Sequence, residues 1–257
     1  MTAEERPLAP APGAAAGWEP PQAAPAPAPE PLSAPPPGAP PWGAGATLLI
    51  ALVLVGGYLL VQLVTAVFAA VGMVAMDTAA DPATVAAGGA AAESLLNERL
   101  GLLFWVSALT AAPLGSAAVM AVAWGGVRDR PAPRRELRLA LGLVAPRPRH
   151  VFGWLLVTAA VLSVYDRVAV WLDRPDMPEF VEQLATTAGW LPGLIFAVVV
   201  LAPLFEELAF RGFLVPGLAA GRPGAVGAVL VSAGLFAATH GGQYDLFDLS
   251  FVFALGL

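Results

Sequence analysis

Long apolar segments without any charge are the feature that most constrains this sequence. No Asp, Glu, Lys or Arg occurs between Thr47 and Met76, nor between Leu191 and Phe205. A run of about 20 apolar residues is long enough to cross a lipid bilayer as a helix. The chain is 58% hydrophobic and only 12% charged, whereas soluble domains contain roughly 25% charged residues. The sequence therefore predicts a membrane protein.

The predicted fold is an all-α, polytopic transmembrane helix bundle, because in lipid a helix satisfies its own backbone hydrogen bonds. We expect about five complete membrane helices and part of a sixth. The proposed segments are 47–76, 101–124, 151–172, the stretch that starts at 191, 225–239, and the incomplete 249–257.

The first 46 residues differ from the rest in composition, since they hold 14 of the 26 prolines, mostly among alanines. Proline removes backbone donors, and alanine offers little surface to bury. This composition predicts a disordered tail at 1–46 and a membrane helical domain at 47–257, in which 190–257 carries the chemically informative residues.

The distribution of arginine predicts the orientation. The chain has no lysine, and the connection between the second and third segments concentrates positive charge. Cytoplasmic loops of membrane proteins carry an excess of positive residues. We therefore expect 127–150 and the N-terminal tail to be cytoplasmic, and 77–100 and 173–190 to lie outside. The arginines of the connection are Arg128, Arg130, Arg134, Arg135, Arg138, Arg147 and Arg149.

The composition also excludes several functions. Without cysteine, the chain can form no disulfide, thiol nucleophile or cysteine-ligated metal site. The arginines form no stripe interleaved with aromatic residues, so nucleic acid is not an expected partner. The Lys-free, Ala- and Arg-rich composition suggests a bacterial source with a GC-rich genome.

Three ionisable residues lie in the fourth apolar segment, in the stretch LAPLFEELAFRGFL from Leu201 to Leu214. In a helix, Glu207 and Arg211 lie one turn apart on one face, with the acid in the favourable N-terminal position. Glu206 points about 100° away from Glu207 and has no partner nearby in sequence. A lone carboxylate in an apolar medium is costly and tends to take up a proton, which is the property that a general base needs.

The fifth segment ends with a second unusual residue, His240, which precedes Gly241-Gly242 and follows Phe236 by four residues. Small residues at four-residue spacing in this segment let it approach a neighbour closely. Both His240 and Glu206 lie about fifteen residues into segments that run in opposite directions. We therefore expect them to meet across two antiparallel helices.

Each of these residues also has a structural explanation. The pair of Glu207 and Arg211 could be an interfacial ion pair, and a histidine before two glycines could cap a helix or contact a neighbour. A single acid within a membrane could carry protons in a transporter. The combination at this spacing favours a catalytic site.

The two motifs together resemble those of a known family. Glu206-Glu207-Leu-Ala-Phe-Arg211 has the pattern EExxxR, and Phe236-Ala-Ala-Thr-His240 has the pattern FxxxH. In this order on consecutive helices, they resemble the CAAX prenyl protease type II family. These CPBP intramembrane metalloproteases include the Ras-converting endopeptidase and abortive-infection-like proteins. The resemblance covers roughly 190–257.

The resemblance implies a CPBP-type intramembrane metalloendopeptidase with its active site inside the helix bundle. Glu206 and His240 would be catalytic, with Glu206 activating water and His240 acting with it. Glu207, Arg211 and Phe236 would shape the site. A divalent metal, expected to be zinc, would be bound by Glu206 and His240.

The family also has a third motif, a histidine and an asparagine on a later helix, which would lie beyond Leu257. We therefore expect the chain to be C-terminally truncated relative to the family and inactive in peptide cleavage by itself.

The function predicted from the sequence is hydrolysis of a peptide or protein substrate by a multi-pass protein of the bacterial plasma membrane, with membrane lipid as its surroundings. Two alternatives remain open. One is a catalytically silent member of the family that acts by binding, as in bacteriocin self-immunity. The other is a proton-coupled transporter that uses Glu206.

Overall fold

The computed structural model describes residues 41–80, 93–94, 96–175 and 177–257, with side chains omitted at 77–80. Within these residues the fold is all-helical, as predicted. Eight principal helices follow one another along the chain. They are α1 (Ala44–Ala80), α2 (Leu100–Val127), α3 (Pro133–Ala140), α4 (Pro148–Trp171), α5 (Glu179–Thr187), α6 (Leu191–Ala219), α7 (Gly224–Thr239) and α8 (Leu246–Gly256).

Four of these helices are long and apolar enough to cross a membrane: α1, α2, α4 and α6. The fifth predicted span corresponds to α7, whose 16 residues make a helix of about 24 Å, shorter than the roughly 30 Å hydrocarbon core. The sixth corresponds to α8, which begins at Leu246, three residues before the predicted start.

Two parts of the predicted organisation are affected: the tail at 1–46 and the connections on either side of α4. Most of the proposed tail, residues 1–40, lies outside the described residues, so its disorder stays a prediction; residues 44–46 belong to α1. The short helices α3 and α5 were not predicted. They lie in the connections on either side of α4, where the sequence has no long apolar run to identify a helix.

The charged stretch of α6 was assumed above to be a regular α-helix, but parts of α6 are π-helical. It is π-helical at Ala197–Leu201 and again at Glu207–Leu214. Two residues after each π-helical stretch comes a proline, Pro203 or Pro216. Proline has no backbone N–H, and its ring clashes with the carbonyl four residues earlier, so a wider turn before it relieves the clash. Such π-helical turns often occur at functional sites.

The core lies where α6 crosses α1 and α2. Tyr58 of α1 stacks on Phe205 of α6, with ring centroids 4.0 Å apart. Gly115 of α2 lies directly beneath these rings, where a Cβ atom would be 2.8 Å from Phe205. Phe205 is 1% exposed. The residue before Glu206 is therefore clamped between two helices, which fixes the position of the acid.

The N-terminal end of α2 is covered by α5. The backbone N–H of Gly101 donates to Thr187 Oγ1 at 2.8 Å, and Trp105 Nε1 donates to the carbonyl of Ala188 at 3.0 Å. At Gly101 the two backbones approach so closely that an added Cβ would lie 2.0 Å from the carbonyl oxygen of Leu184. Glycine therefore permits the contact that places α5 beside α2.

On the other side of α6, α7 and α8 complete the motif region. Ser232 of α7 is buried, and its hydroxyl donates to the carbonyl of Phe210 at 3.4 Å, so the predicted close approach of α7 to α6 is present. Helix α8 packs on α7, with Gly256 near Ala233. Helix α4 packs mainly on α8, and its apolar face is otherwise exposed, as suits a lipid-facing helix.

We predict that Gly101→Ala destabilises the protein by about 1–3 kcal/mol, because the new methyl group must push apart two backbones rather than a flexible side chain. Gly153→Ala on α4 is the matched control, since nothing lies within 4 Å of its Cβ position and alanine is the better helix former. Thermal unfolding in detergent should show a lower Tm for Gly101→Ala alone. Equal melting temperatures for the two variants would contradict the described contact between α2 and α5.

Candidate active site

The structure brings Glu206 and His240 together, as the two motifs predict. Glu206 lies between the two π-helical stretches of α6, and His240 follows the last residue of α7. Glu206 Oε1 and His240 Nε2 are 4.0 Å apart. The two side chains are 22% and 19% exposed, respectively, so both are largely removed from the surface while remaining accessible to a small molecule.

The orientation of the His240 ring is held by its other nitrogen. His240 Nδ1 lies 2.9 Å from the carbonyl oxygen of Phe236, an acceptor only, so Nδ1 carries the proton that is donated there. In the neutral ring, Nε2 is then the unprotonated nitrogen, with its lone pair free. This nitrogen is the one nearest Glu206. The hydroxyl of Thr239 donates to the same carbonyl at 2.7 Å.

A cavity of about 370 Å³ contains both groups. Its wall comes from α1, α2, α5 and α6, and from the residues that connect α7 to α8. The wall is mainly aliphatic and aromatic, and its polar side chains include those of Gln62, Glu206, His240 and Gln243. The aromatic lining residues are Tyr58, Phe104, Phe180, Phe205, Phe210 and Tyr244.

A second, polar recess adjoins this cavity on the side of the 173–180 connection. It has a volume of about 550 Å³ and shares Phe180, Gln243 and Tyr244 with the first cavity. Its other lining residues include Arg174 and Asp248. Charged groups favour water in such a recess, beside the apolar cavity.

Glu207 and Arg211 form the predicted ion pair but do not face the cavity. Arg211 Nη1 donates to Glu207 Oε1, and Arg211 Nη2 donates to the carbonyl of Leu255 on α8 at 3.0 Å. The Glu207 side chain is 59% exposed. Glu207 begins the second π-helical stretch and does not line the cavity, so it acts on the site through Arg211.

Phe236 lies between the arginine and the histidine. The centroid of the Phe236 ring is 4.8 Å from the centroid of the His240 ring. The guanidinium carbon of Arg211, on α6, is 5.5 Å from the Phe236 centroid. Phe210 packs edge-on against the same ring at 5.5 Å. Phe236 thus contacts both Arg211 and the imidazole, and its site-shaping role stays a prediction.

Glu206 and His240 were predicted to bind a divalent metal. Catalytic zinc is usually held by three protein ligands and a water. Glu206 and His240 supply two. Among the described residues no cluster of three or more histidine, cysteine or acidic side chains could hold a metal ion. The described side chains therefore do not make a complete zinc site, and zinc binding stays a prediction.

The fold and this geometry can be compared with known proteins. Residues 188–257 match the family model of the type II CAAX prenyl endopeptidase Rce1-like proteins. The resemblance predicted from the two motifs is thereby confirmed over this part of the chain. The match begins just after α5 and includes α6, α7, α8 and both motifs.

The comparison supports a membrane protein whose C-terminal part resembles a family of proteases. No curated protein and no solved structure matches the chain. Helices α1 to α5 lie outside the family match, so their contribution to the cavity is known from the structure alone.

Sequence reasoning missed the two tyrosines of the cavity. Tyr58 lies in the middle of the first apolar segment, where an aromatic residue has no distinguishing neighbour. Tyr244 follows His240 by four residues, with Gly241 and Gly242 between them. The spacing from His240 was a usable signal, but the two glycines conceal it because they end the helical periodicity.

We predict that Arg211→Ala lowers stability more than Glu206→Ala does. Arg211 connects α6 to α7 and α8 through Phe236 and the carbonyl of Leu255, whereas among the described residues Glu206 has a charged partner within 4.0 Å only in His240. Because the ion pair itself is largely exposed, the loss should be about 1–2 kcal/mol rather than that of a buried pair. Thermal unfolding in detergent measures both variants, and a lower Tm for Glu206→Ala than for Arg211→Ala would contradict this assignment.

Proposed function

We propose that this protein is an intramembrane endopeptidase in which Glu206 and His240 activate water for hydrolysis of a peptide bond. The observation that carries the proposal is the 4.0 Å separation of Glu206 Oε1 and His240 Nε2 in a mainly apolar cavity. The family match over 188–257 supports a protease-like site. A binding protein has no need of an acid and a base in this arrangement, and a single acid suffices for a proton carrier.

The geometry suits one water molecule between the two side chains. Polar atoms 4.0 Å apart are too far for a direct hydrogen bond, but a single water can bond to both. Glu206 removes one proton of this water, and the lone pair of His240 Nε2 accepts a hydrogen bond from the other O–H. The water is thereby held with its oxygen facing the cavity.

Hydrolysis then follows with atoms and charge in balance. The water oxygen bonds to the peptide carbonyl carbon as its proton passes to Glu206, and the carbonyl oxygen becomes an oxyanion. When the intermediate collapses, the carbon–nitrogen bond breaks and Glu206 returns the proton to the leaving amine. Glu206 ends ionised, as it began, so one carboxylate serves as base and then as acid.

The lining of the cavity indicates the kind of peptide that fits. Phe104, Leu184, Leu194 and Phe205 offer only apolar contacts. A charged side chain would lose its hydration there without gaining a partner. We therefore propose that the residues next to the cleaved bond are apolar, as in membrane-inserted or membrane-proximal segments of a protein.

We predict that Glu206→Gln and His240→Ala each lower kcat by at least about 10²-fold, because each removes an acid–base group from the water. The protein is expressed from its complete gene and purified in detergent. Activity is measured with quenched fluorescent peptides that have apolar residues on both sides of the central bond, and cleavage products are identified by mass spectrometry.

The matched controls are Glu182→Gln on α5 and His150→Ala at the start of α4. Both side chains are exposed, and neither lines the cavity. The controls should cleave within a few-fold of the unmodified protein. Retention of near-normal kcat by folded Glu206→Gln would eliminate the mechanism, and a silent binding protein or proton-coupled transporter would then explain the site better.

We also propose that the protein lies in the plasma membrane with its N-terminus and the arginine-rich connection 127–150 in the cytoplasm. This connection has far more positive charge than the 173–190 connection, and α4 separates the two. Positively charged connections remain on the cytoplasmic side.

We predict that a cysteine at Ala132 reacts with an impermeant thiol reagent only after cells are permeabilised, whereas one at Thr186 reacts in intact cells. Both positions are exposed, and the absence of native cysteine removes any background. Labelling of Ala132→Cys but not Thr186→Cys in intact cells would reverse the proposed orientation.

A further inference from the structure

The connection between α2 and α4 carries exposed arginines that no acidic side chain neutralises. Its two acids are already paired, since Arg128 Nε lies 3.6 Å from Asp129 Oδ2, and Arg130 Nη1 lies 3.0 Å from Glu136 Oε2. Each of the other five arginines is exposed and, among the described residues, has no acidic group within 4.0 Å. They are Arg134, Arg135, Arg138, Arg147 and Arg149.

Helix α3, which carries three of these arginines, is attached to the bundle at both ends. Glu136 in its first turn is buried and pairs with Arg130, which follows α2. Leu141, just after α3, is also buried, and its carbonyl oxygen would lie 2.9 Å from a Cβ atom added at Gly212 of α6. The exposed arginines therefore stand on a support that packing holds in place, and they form a surface of defined shape.

Apolar side chains are exposed in the same connection. Leu139, Leu143 and Val144 all point away from the core. Basic and apolar side chains together are typical of segments that lie in the boundary between lipid headgroups and acyl chains. A soluble polyanion such as a nucleic acid would use the arginines alone, so this combination favours lipid.

Two tryptophans place the connection at the level of the membrane surface. Trp124 lies near the end of α2 and Trp154 near the start of α4, and both rings are exposed. Tryptophan is enriched at the boundary between membrane and water. Because α2 and α4 are both long and apolar enough to cross a membrane, the arginines that follow Trp124 and precede Trp154 lie among the headgroups.

We propose that the exposed arginines of the 127–150 connection bind the phosphate groups of anionic phospholipids, while Leu139, Leu143 and Val144 contact the acyl chains beneath. The guanidinium group can donate two parallel hydrogen bonds to one phosphate. Each basic residue near an anionic membrane contributes about a fivefold preference. The proposed orientation requires only that these arginines stay on one side of the membrane, whereas this proposal assigns them a ligand.

The test measures which lipid gathers beside α3. The protein is expressed from its complete gene with Ala132→Cys as its single cysteine, labelled with a fluorophore at this exposed position, and reconstituted in phosphatidylcholine nanodiscs. Nitroxide-labelled phosphatidylglycerol or nitroxide-labelled phosphatidylcholine is then added in increasing fractions. Phosphatidylglycerol should reach half-maximal quenching at a mole fraction at least about tenfold lower than phosphatidylcholine.

The control position and the charge variants separate this surface from general lipid mixing. Thr186→Cys, exposed on α5, should report no preference between the two lipids. The double variant Arg134→Gln/Arg135→Gln should lose at least about fivefold of the preference at position 132. The matched variant Arg134→Lys/Arg135→Lys keeps both charges, so its preference should stay within about threefold.

Several results would overturn the proposal. Equal quenching by the two lipids at position 132 would do so, as would the same preference at position 186 or an unchanged preference in the double Gln variant. Loss of the preference when an oligonucleotide or inorganic phosphate is added at the same phosphate concentration would assign the surface to a soluble anion instead. No step measures cleavage, so the outcome is independent of the proposed endopeptidase function.

Discussion

A charged side chain in an apolar membrane must find its partners within the protein, and α6 carries three such side chains in a single stretch. Their partners determine which helices surround α6. Arg211 is satisfied by Glu207, by the carbonyl of Leu255 on α8 and by the face of Phe236 on α7. Glu206 is left with His240. The requirement to satisfy these charges therefore draws α7 and α8 to the same side of α6, and the residues that connect α7 to α8 close one side of the cavity.

The sequence predicted the helices and the contact between the two motifs, but it did not predict the irregular turns of α6. The apolar segments and the four-residue spacings in EExxxR and FxxxH depend on periodicity and local charge, so they predicted the helices and the meeting of Glu206 with His240. The π-helical stretches were not predicted, although the prolines that follow them, Pro203 and Pro216, were visible. A proline permits a kink, a π-turn or a break, and only packing against neighbouring helices selects among these.

The wall of the cavity could not be predicted from the sequence for a different reason. Tyr58, Phe104 and Phe180 come from three separate helices, two of which belong to the long apolar segments. Any face of such a segment can be turned inward, because lipid and protein interior are equally apolar and hydrophobicity does not tell them apart. Close approaches at glycines, such as Gly101 against Leu184, choose the inward face, and they are tertiary contacts.

The position of His240 depends on an ionic contact outside the cavity. His240 follows the last residue of α7, and its carbonyl accepts from the N–H groups of Gln243 and Tyr244 in the turn that follows. This segment is tied in turn to the connection that precedes α5. Arg174 pairs with Asp245 and Asp248, and it covers the ring of Phe247 at 4.4 Å. The hydrogen bond from Arg174 lowers the pKa of Asp245.

The lowered pKa of Asp245 determines how the stability of this ion pair depends on pH. A carboxyl group whose pKa is lowered by folding contributes stability above its unfolded-state pKa, and the contribution is lost as the pH falls through the lower folded-state value. The pair of Arg174 and Asp245 is therefore intact throughout the neutral range and opens only in acid. This pair therefore anchors the segment that carries His240 and Tyr244 throughout the neutral range.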